Sequence, residues 1–488
     1  MSVLGGNGFN IARTAPYNSD EIFWHLQTAA SEKYTMPQGY FGYNGSHAAV
    51  GTYGAWGFFP FPPYVILCRL FGMKIYSRHI INLYMLGVAL LLFSLLAELD
   101  EKKIVLLQLS YIFSPVTIRY SISAMNEGER YAFSILICGF LVSIYRKKRQ
   151  KWYVYGLIPC FLIYAVLSYD IFIFFVPVYL MIILRGRTGI VRFGLNMLIS
   201  FLVMALCRMI NGITSAEYTL TGDPNVLKAF IGFFEEGFIL GIRKTLYMMY
   251  RNLARFGPLN LINIRDREYG MYSVYLGMIV IICIYILILG IYRFIRKQNM
   301  GSVCLAAWFI WGYVFAFGAL YTDDEITLVR SLNCAMIVLV LILIIFNEKK
   351  KLFALILFSI FTIPISWRYV NDVYAESHVA YDNMAHIKDE NEILSKIMEI
   401  RPNDRWANTI AWYGDISGAC LEVPTGFGIN YCIENIGDNN MGWLIINKTG
   451  GVNTVEIKDM LSGYGKEYEN ENLIVYKREG DKLCIPLQ

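Results

Sequence analysis

Asn18-Ser19-Asp20-Glu21-Ile22 sets two adjacent carboxylates in a polar N-terminal segment, directly ahead of a long series of apolar runs. The chain is 56% hydrophobic and only 17% charged, so neighbouring acids need a reason. If the runs form a membrane bundle and this segment lies on its outer face, Asp20 and Glu21 stand beside a water–lipid boundary. There a carboxylate can take a proton from an acceptor or hold a cation. The same residues also suit a local role, with Asp20 capping a short helix that begins at Glu21.

Composition supports the membrane reading. A mean hydropathy of +0.44, with 31 Phe, 35 Tyr and 9 Trp in 488 residues, belongs to a polytopic α-helical membrane protein rather than a soluble globule. The net charge of +5 does not point to nucleic acid, because the basic residues cluster in short loops between apolar runs. Most cysteines lie in or beside those runs, where they read as small hydrophobes. Neither a CxxC pair nor a Cys/His cluster suggests zinc.

Residues 1–57 read as a polar first extracytoplasmic loop without a signal-peptide pattern. Residues 58–72, from Phe58-Phe59-Pro60-Phe61-Pro62-Pro63 to Leu70-Phe71-Gly72, are apolar but too short to span. They predict a proline-started helix lying in the interface. Apolar runs follow at 79–97, 104–122, 130–145, 152–168, 170–184, 193–213, 271–292, 301–320, 331–346 and 352–367. These give about ten spans for a ~30 Å hydrocarbon core. The continuous stretch 152–184 is divided at Ser168-Tyr169-Asp170, because a buried unpaired Asp is costly. A further span ahead of Met1 is expected, since the external segment 1–57 needs a helix to carry it across.

Basic clusters at Arg146-Lys147-Lys148-Arg149, at Arg185, Arg187 and Arg192, at Arg293, Arg296 and Lys297, and at Lys349-Lys350-Lys351 fall on one side, which is therefore cytoplasmic. The opposite side receives the N-terminal segment, the 126–130 loop, the turn at Asp170, the loop 214–270, the Asp323-Asp324-Glu325 loop and the tail 368–488. The domain plan is thus loop 1–57, transmembrane domain 58–367 and an extracytoplasmic α/β domain 368–488. In that tail, 390–400 and 454–463 have helical patterns, while 442–447 and 473–476 read as strands.

Every polar cluster outside the basic loops lies on the external side, which argues for work at the outer face rather than conduction through it. Residues 226–256 form an amphipathic pattern carrying Arg243, Lys244, Arg251 and Arg255. A basic face at the interface suits a phosphate headgroup, and equally suits a helix floating on anionic lipid. Arg330 stands at the mouth of a span, where it can pair with Asp323, Asp324 or Glu325 or meet a phosphate. Arg130, between Glu129 and Tyr131, can form an ion pair or contact substrate.

The order of these features, with Asp20-Glu21 in a first external loop, Pro62-Pro63-Tyr64-Val65-Ile66-Leu67 in an interfacial helix, Glu129-Arg130-Tyr131 opening a span and Arg330 entering a late helix, resembles the GT-C membrane glycosyltransferases. The branch it looks most like is that of the protein O-mannosyltransferases and bacterial aminoarabinose transferases. The resemblance covers residues 15 to 346 by order of features, and the tail only in kind.

It implies inverting transfer of a sugar from a polyprenyl-phosphate donor to a glycan, lipid or protein of the cell envelope, in the plasma membrane. Asp20 would be the base that activates the acceptor hydroxyl, and Glu21 would orient the acceptor or donor. Arg243, Arg251, Arg255 and Arg330 would hold the leaving phosphate, with Glu129, Arg130, Tyr131 and Asp170 in support. Some relatives use a divalent metal bridged by acids, for which Asp20, Glu21 and Asp170 are the candidate set. The chain departs from the family in lacking a lysine that matches its phosphate contact. A lipid-linked donor needs no nucleotide-binding fold, and no GxGxxG-type loop is present. Two rivals are a transporter or flippase of lipid-linked sugars, which predicts ionisable groups inside spans, and a non-catalytic envelope-assembly protein.

Overall fold

The structure, a computed structural model, describes residues 10–16, 57–112, 114–146, 152–183, 190–214 and 232–256, and the strand segments 406–408, 420–422, 443–447, 463–469 and 473–478. It also describes single positions within 21–32, 330–344 and 367–381, and residue 288. The runs 271–292, 301–320 and 352–367 otherwise lie outside these residues, as does the helical pattern at 390–400.

The chain is built mainly of helices. After a short 3-10 turn at Ile11–Arg13, the described positions between 21 and 32 are helical. Helix α1, Pro62–Phe71, begins with two prolines, whose fixed φ and missing N–H suit a first turn. It stops at Gly72, where φ is +81°. Next come α2 (Ser77–Leu96), α3 (Glu101–Ile112), α4 (Pro115–Ser121) and α5 (Glu127–Arg146). The run 104–122 is therefore two helices rather than one span. Pro115 cannot donate to the turn before it, and Ser114 is extended, at ψ 106°.

The division of 152–184 falls where Asp170 predicts it. Helices α6 (Trp152–Tyr155) and α7 (Leu157–Ser168) end at an extended Tyr169 with φ −156°. A 3-10 turn, Asp170–Phe174, then leads into α8 (Phe175–Ile183). Helix α9 spans Ile190–Thr214, and α10 spans Phe238–Phe256. The amphipathic pattern predicted over 226–256 is helical over its larger part. It is preceded by turns at 233–236 and by Gly237 at φ +121°.

Among the described residues, three helices are long and apolar enough to cross a membrane: Ser77–Leu96, Glu127–Arg146 and Gly194–Ile213. The core lies between α2, α5, α7 and α8, where Phe93, Tyr131, Ile135, Val166 and Phe172 are buried. Helices α2 and α5 meet closely. At Gly139, an added Cβ would come within 3.3 Å of the Phe93 backbone and 3.2 Å of the Leu96 side chain.

In the tail, five strands form one sheet: β1 (Trp406–Asn408), β2 (Cys420–Glu422), β3 (Trp443–Asn447), β4 (Tyr464–Glu469) and β5 (Leu473–Arg478). Their order is β2-β1-β3-β5-β4. β1 is parallel to both β2 and β3, whereas β5 is antiparallel to β3 and β4. Strands were expected at β3 and β5. The others are too short, or in β4 too polar, for periodicity to mark them. Residues 454–462, expected to be helical, lie outside the described residues.

A helical stretch within 367–381 docks on the N-terminal segment. The Ala15 N–H donates to the Ser377 carbonyl at 3.1 Å, and Val370 and Val373 pack on Ile122.

Gly139→Val is expected to lower stability by about 1–3 kcal/mol by overpacking the α2/α5 contact. Gly87→Val on the same α2 is expected to be close to neutral, because no atom lies within 4 Å of its added Cβ. Thermal unfolding of the purified protein in detergent compares the two.

Candidate active site

Among the described residues, Glu21, the head of α5, the turn at Asp170 and Arg330 meet at one end of the helices. Glu127, Glu129 and Arg130 do not stand in a loop. They form the first turn of α5, where carboxylates oppose the positive end of the helix dipole. The Glu127 carboxylate receives Arg130 Nη1 at 3.0 Å and lies 3.5 Å from Arg330 Nε. Tyr131 OH donates to the Arg330 carbonyl at 2.8 Å, holding that residue to α5. One turn past Arg330, Asn333 Nδ2 donates to Thr117 Oγ1 at 2.9 Å.

Glu129 accepts from Ser168 Oγ at 3.0 Å, at the end of α7. The Arg130 guanidinium lies 3.8 Å from the centre of the Tyr169 ring. Asp170 pairs with Arg208 of α9 at 2.6 Å, in a partly exposed position.

Asp20 lies outside the described residues. Glu21 is fully buried, and its Oε1 accepts the Ala124 N–H at 3.1 Å. This contact joins the N-terminal segment to the 122–126 turn between α4 and α5. The turn is held from below by α2. Arg78, fully buried, donates through Nε to the Ala124 carbonyl at 2.8 Å, through Nη1 to Thr28 Oγ1 at 2.7 Å and through Nη2 to Asn126 Oδ1 at 3.3 Å. Its guanidinium also lies 3.6 Å from the centre of the Tyr64 ring. Asn82, one turn on, donates from Nδ2 to the carbonyls of Ser123 at 2.8 Å and Met125 at 2.7 Å.

Sequence reasoning passed over Arg78, Asn82 and Ser168. The signal available was Arg78, His79 and Asn82 at the head of an apolar run, polar residues that a helix start in lipid would retain only with partners.

The arginines of α10 present a different picture. Gly241, Thr245 and Met249, at i, i+4 and i+8, are buried, whereas Phe238, Ile239, Leu246 and Tyr250 are exposed, Ile239 by 84%. Arg243 is exposed and Arg251 partly so, and Arg255 lies near the C-terminal end of the helix. Lys244 pairs with Glu236 at 3.0 Å. An exposed apolar face beside a basic one is the pattern of a helix at a membrane surface.

Of the candidate metal set, Glu21 and Asp170 are engaged by other partners, and Asp20 lies outside the described residues. Asp170 holds Arg208, and Glu21 is taken up by the Ala124 N–H. Among the described residues, no group of three or more His, Cys, Asp or Glu is placed to hold a metal ion.

No family model and no curated protein matches the chain. Among solved structures it is similar to an ArnT and to an archaeal oligosaccharyltransferase. One is ArnT from Cupriavidus metallidurans bound to undecaprenyl phosphate, with 7% identity over 96% of this chain and 94% of the other, at a TM-score of 0.46. The second is the archaeal oligosaccharyltransferase AglB from Archaeoglobus fulgidus, in complex with an inhibitory peptide and a dolichol-phosphate. There the identity is 11%, over 97% of this chain and 71% of the other, at a TM-score of 0.45.

Burial, with the Arg78 charge beside it, holds the His25 imidazole down to about 3 from an ordinary 6.5. The folded state therefore keeps His25 neutral, while the unfolded chain takes up a proton as the pH falls below 6.5. Stability is unaffected by this group above that pH and declines as the pH drops toward 3, by up to about 1.4 kcal/mol per pH unit. Melting temperatures between pH 7 and pH 4 are expected to fall more steeply for the wild type than for His25→Gln, which has no proton to gain.

Proposed function

We propose that the chain is a membrane glycosyltransferase that moves a sugar from a polyprenyl-phosphate donor to a cell-envelope glycan, lipid or protein, with inversion, at the extracytoplasmic face. The observation that carries the reading is the shared carboxylate of Glu127. It holds Arg130 and Arg330, far apart in the chain, together at the head of a membrane helix. Two guanidiniums around one carboxylate are matched in shape and charge to a phosphate monoester, which takes two-pronged hydrogen bonds.

In this mechanism Asp20 removes the proton from the acceptor hydroxyl, and the acceptor oxygen attacks the anomeric carbon. The bond from that carbon to the phosphate oxygen breaks, and the electron pair leaves with polyprenyl phosphate. Arg130 and Arg330 stabilise the charge that develops on the leaving phosphate. Glu21, locked on the turn at Ala124, is not free to act as the base. Its part is to orient the segment that carries Asp20. Arg243, Arg251 and Arg255 on α10 act less directly, as a basic surface that gathers anionic lipid, the donor among it. The chemistry is complete without a metal, and no step is routed through one.

The ionisable groups of α2 and α5 bear on the rival transporter reading. Arg78, Glu127, Glu129 and Arg130 all lie in the first turns of their helices, at one end. None of these groups sits at the middle of its span, where a relay through the membrane would need it. The tail is assigned to the same extracytoplasmic side, as a small α/β domain built on the five-stranded sheet.

The test uses the full chain in liposomes with a radiolabelled polyprenyl-phosphate sugar and an envelope acceptor. Wild type is expected to transfer label, and Asp20→Asn to lose at least ~100-fold, the usual scale for removing a general base. Equal transfer by both would move the base elsewhere. Label that changes leaflet without reaching the acceptor would favour the flippase.

A further inference from the structure

We propose that Asn82 is a positioning residue that sets the Glu21 carboxylate through the 123–126 turn. The inference rests on the glycosyl-transfer reading of the same site. Asn82 is fully buried at the head of α2. Its Nδ2 makes two hydrogen bonds, to Ser123 O at 2.8 Å and Met125 O at 2.7 Å. These carbonyls flank Ala124. The N–H of Ala124 holds Glu21 at 3.1 Å, and its carbonyl receives Arg78 at 2.8 Å.

The amide is constrained on its other sides as well. Tyr64 OH, from α1, donates to Asn82 Oδ1 at 2.6 Å, which fixes which end of the amide faces the turn. Reversing it would set the amide oxygen, which can only accept, against two carbonyl oxygens. Gly128 closes the remaining side, since an added Cβ there would lie 2.4 Å from Asn82 Cγ. Asn82 therefore has one orientation, and that orientation dictates the height and tilt of the Ala124 peptide to which Glu21 is tied. Glu21 adjoins Asp20 in sequence, so an error in the turn passes to the proposed base. Displacements near 1 Å at such distance from the chemistry can cost ~100-fold in rate.

A purely structural Asn82 would affect stability and any activity together. A positioning Asn82 acts through Glu21, and its loss should matter little once Glu21 is gone. The experiment uses the full chain in liposomes with the polyprenyl-phosphate sugar donor. It compares Asn82→Asp and Tyr64→Phe, each alone and each combined with Glu21→Ala, and reads kcat, donor KM and thermal unfolding. Asn82→Asp keeps the size of the side chain but turns its donor into an acceptor. Tyr64→Phe removes only the hydroxyl and keeps the ring under Arg78.

Asn82→Asp is expected to lower kcat by ~100-fold and Tyr64→Phe by ~10-fold, with donor KM within ~2-fold of wild type, and neither loss should add to that of Glu21→Ala. Losses that multiply in the double variants, or a KM that rises while kcat holds, would overturn the proposal. If Asn82→Asp does not fold, Tyr64→Phe supplies the same comparison. If the wild type transfers nothing, the glycosyl-transfer reading fails on its own, and the melting temperatures decide the position of Asn82. Losses of Asn82→Asp and Glu21→Ala that do not add would support the link through the turn, and additive losses would refute it.

Discussion

A guanidinium buried in an apolar bundle carries a charge that cannot be shed, and leaving its donors unmet would cost several kcal/mol. Arg78 meets this constraint by drawing three separate pieces of chain to itself. It takes Thr28 from the N-terminal segment, the Ala124 carbonyl and Asn126 from the turn before α5, and the Tyr64 ring from α1. Apolar packing of Trp24 on Phe61 and of Tyr64 and Cys68 on Ile81 accompanies these bonds. The arrangement of the three pieces follows from the hydrogen-bonding needs of one side chain, with α2 as the rigid post that carries it. Glu21 reaches its place because the turn it grips is already held.

The same logic operates at the start of α5. A carboxylate in the first turn gains from the helix dipole, but burial still requires a cation. Glu127 obtains Arg130 from its own helix and Arg330 from a helix far along the chain. Tyr131 and Asn333 then hold the late helix in register. Pairing of this kind adds little net stability compared with apolar packing, yet it is highly particular about geometry. That is the property a phosphate-binding constellation requires.

Much of the plan was legible in local chemistry. Asp170 in an otherwise apolar stretch divided 152–184 correctly, because an acid has no place in mid-membrane. The prolines at 62 and 63 marked the start of α1. The asymmetry of loop charge placed Glu21, the head of α5, Asp170 and Arg330 on one side, and the structure brings Glu21, Glu127, Glu129, Asp170 and Arg330 to one end of the helices. Partners were not legible. Arg330 meets Glu127, 203 positions earlier, because distance along the chain says nothing about distance in the fold, while its candidate partners Asp323, Asp324 and Glu325 lie outside the described residues. Arg130 likewise takes Glu127, one helical turn away, and not its neighbour Glu129. Arg78 and Asn82 escaped notice because an apolar run hides the few polar residues at its head. Pro115 had the opposite fate: the residue was visible, but the hydrophobicity around it suggested an unbroken span.

The hydrogen bond from Tyr131 to Arg330 crosses 199 residues of chain, and this separation has a consequence for biosynthesis. At 5–20 residues per second, a ribosome needs roughly 10–40 s to pass from one to the other. Through that interval Glu127 and Arg130 already face each other on the nascent α5, so the carboxylate enters the bilayer with its charge offset by a local partner. Arg330 arrives later, to an acid that is already in place. Insertion and assembly are thus separated in time, and the order of synthesis lets a charged site be threaded through lipid before it is complete.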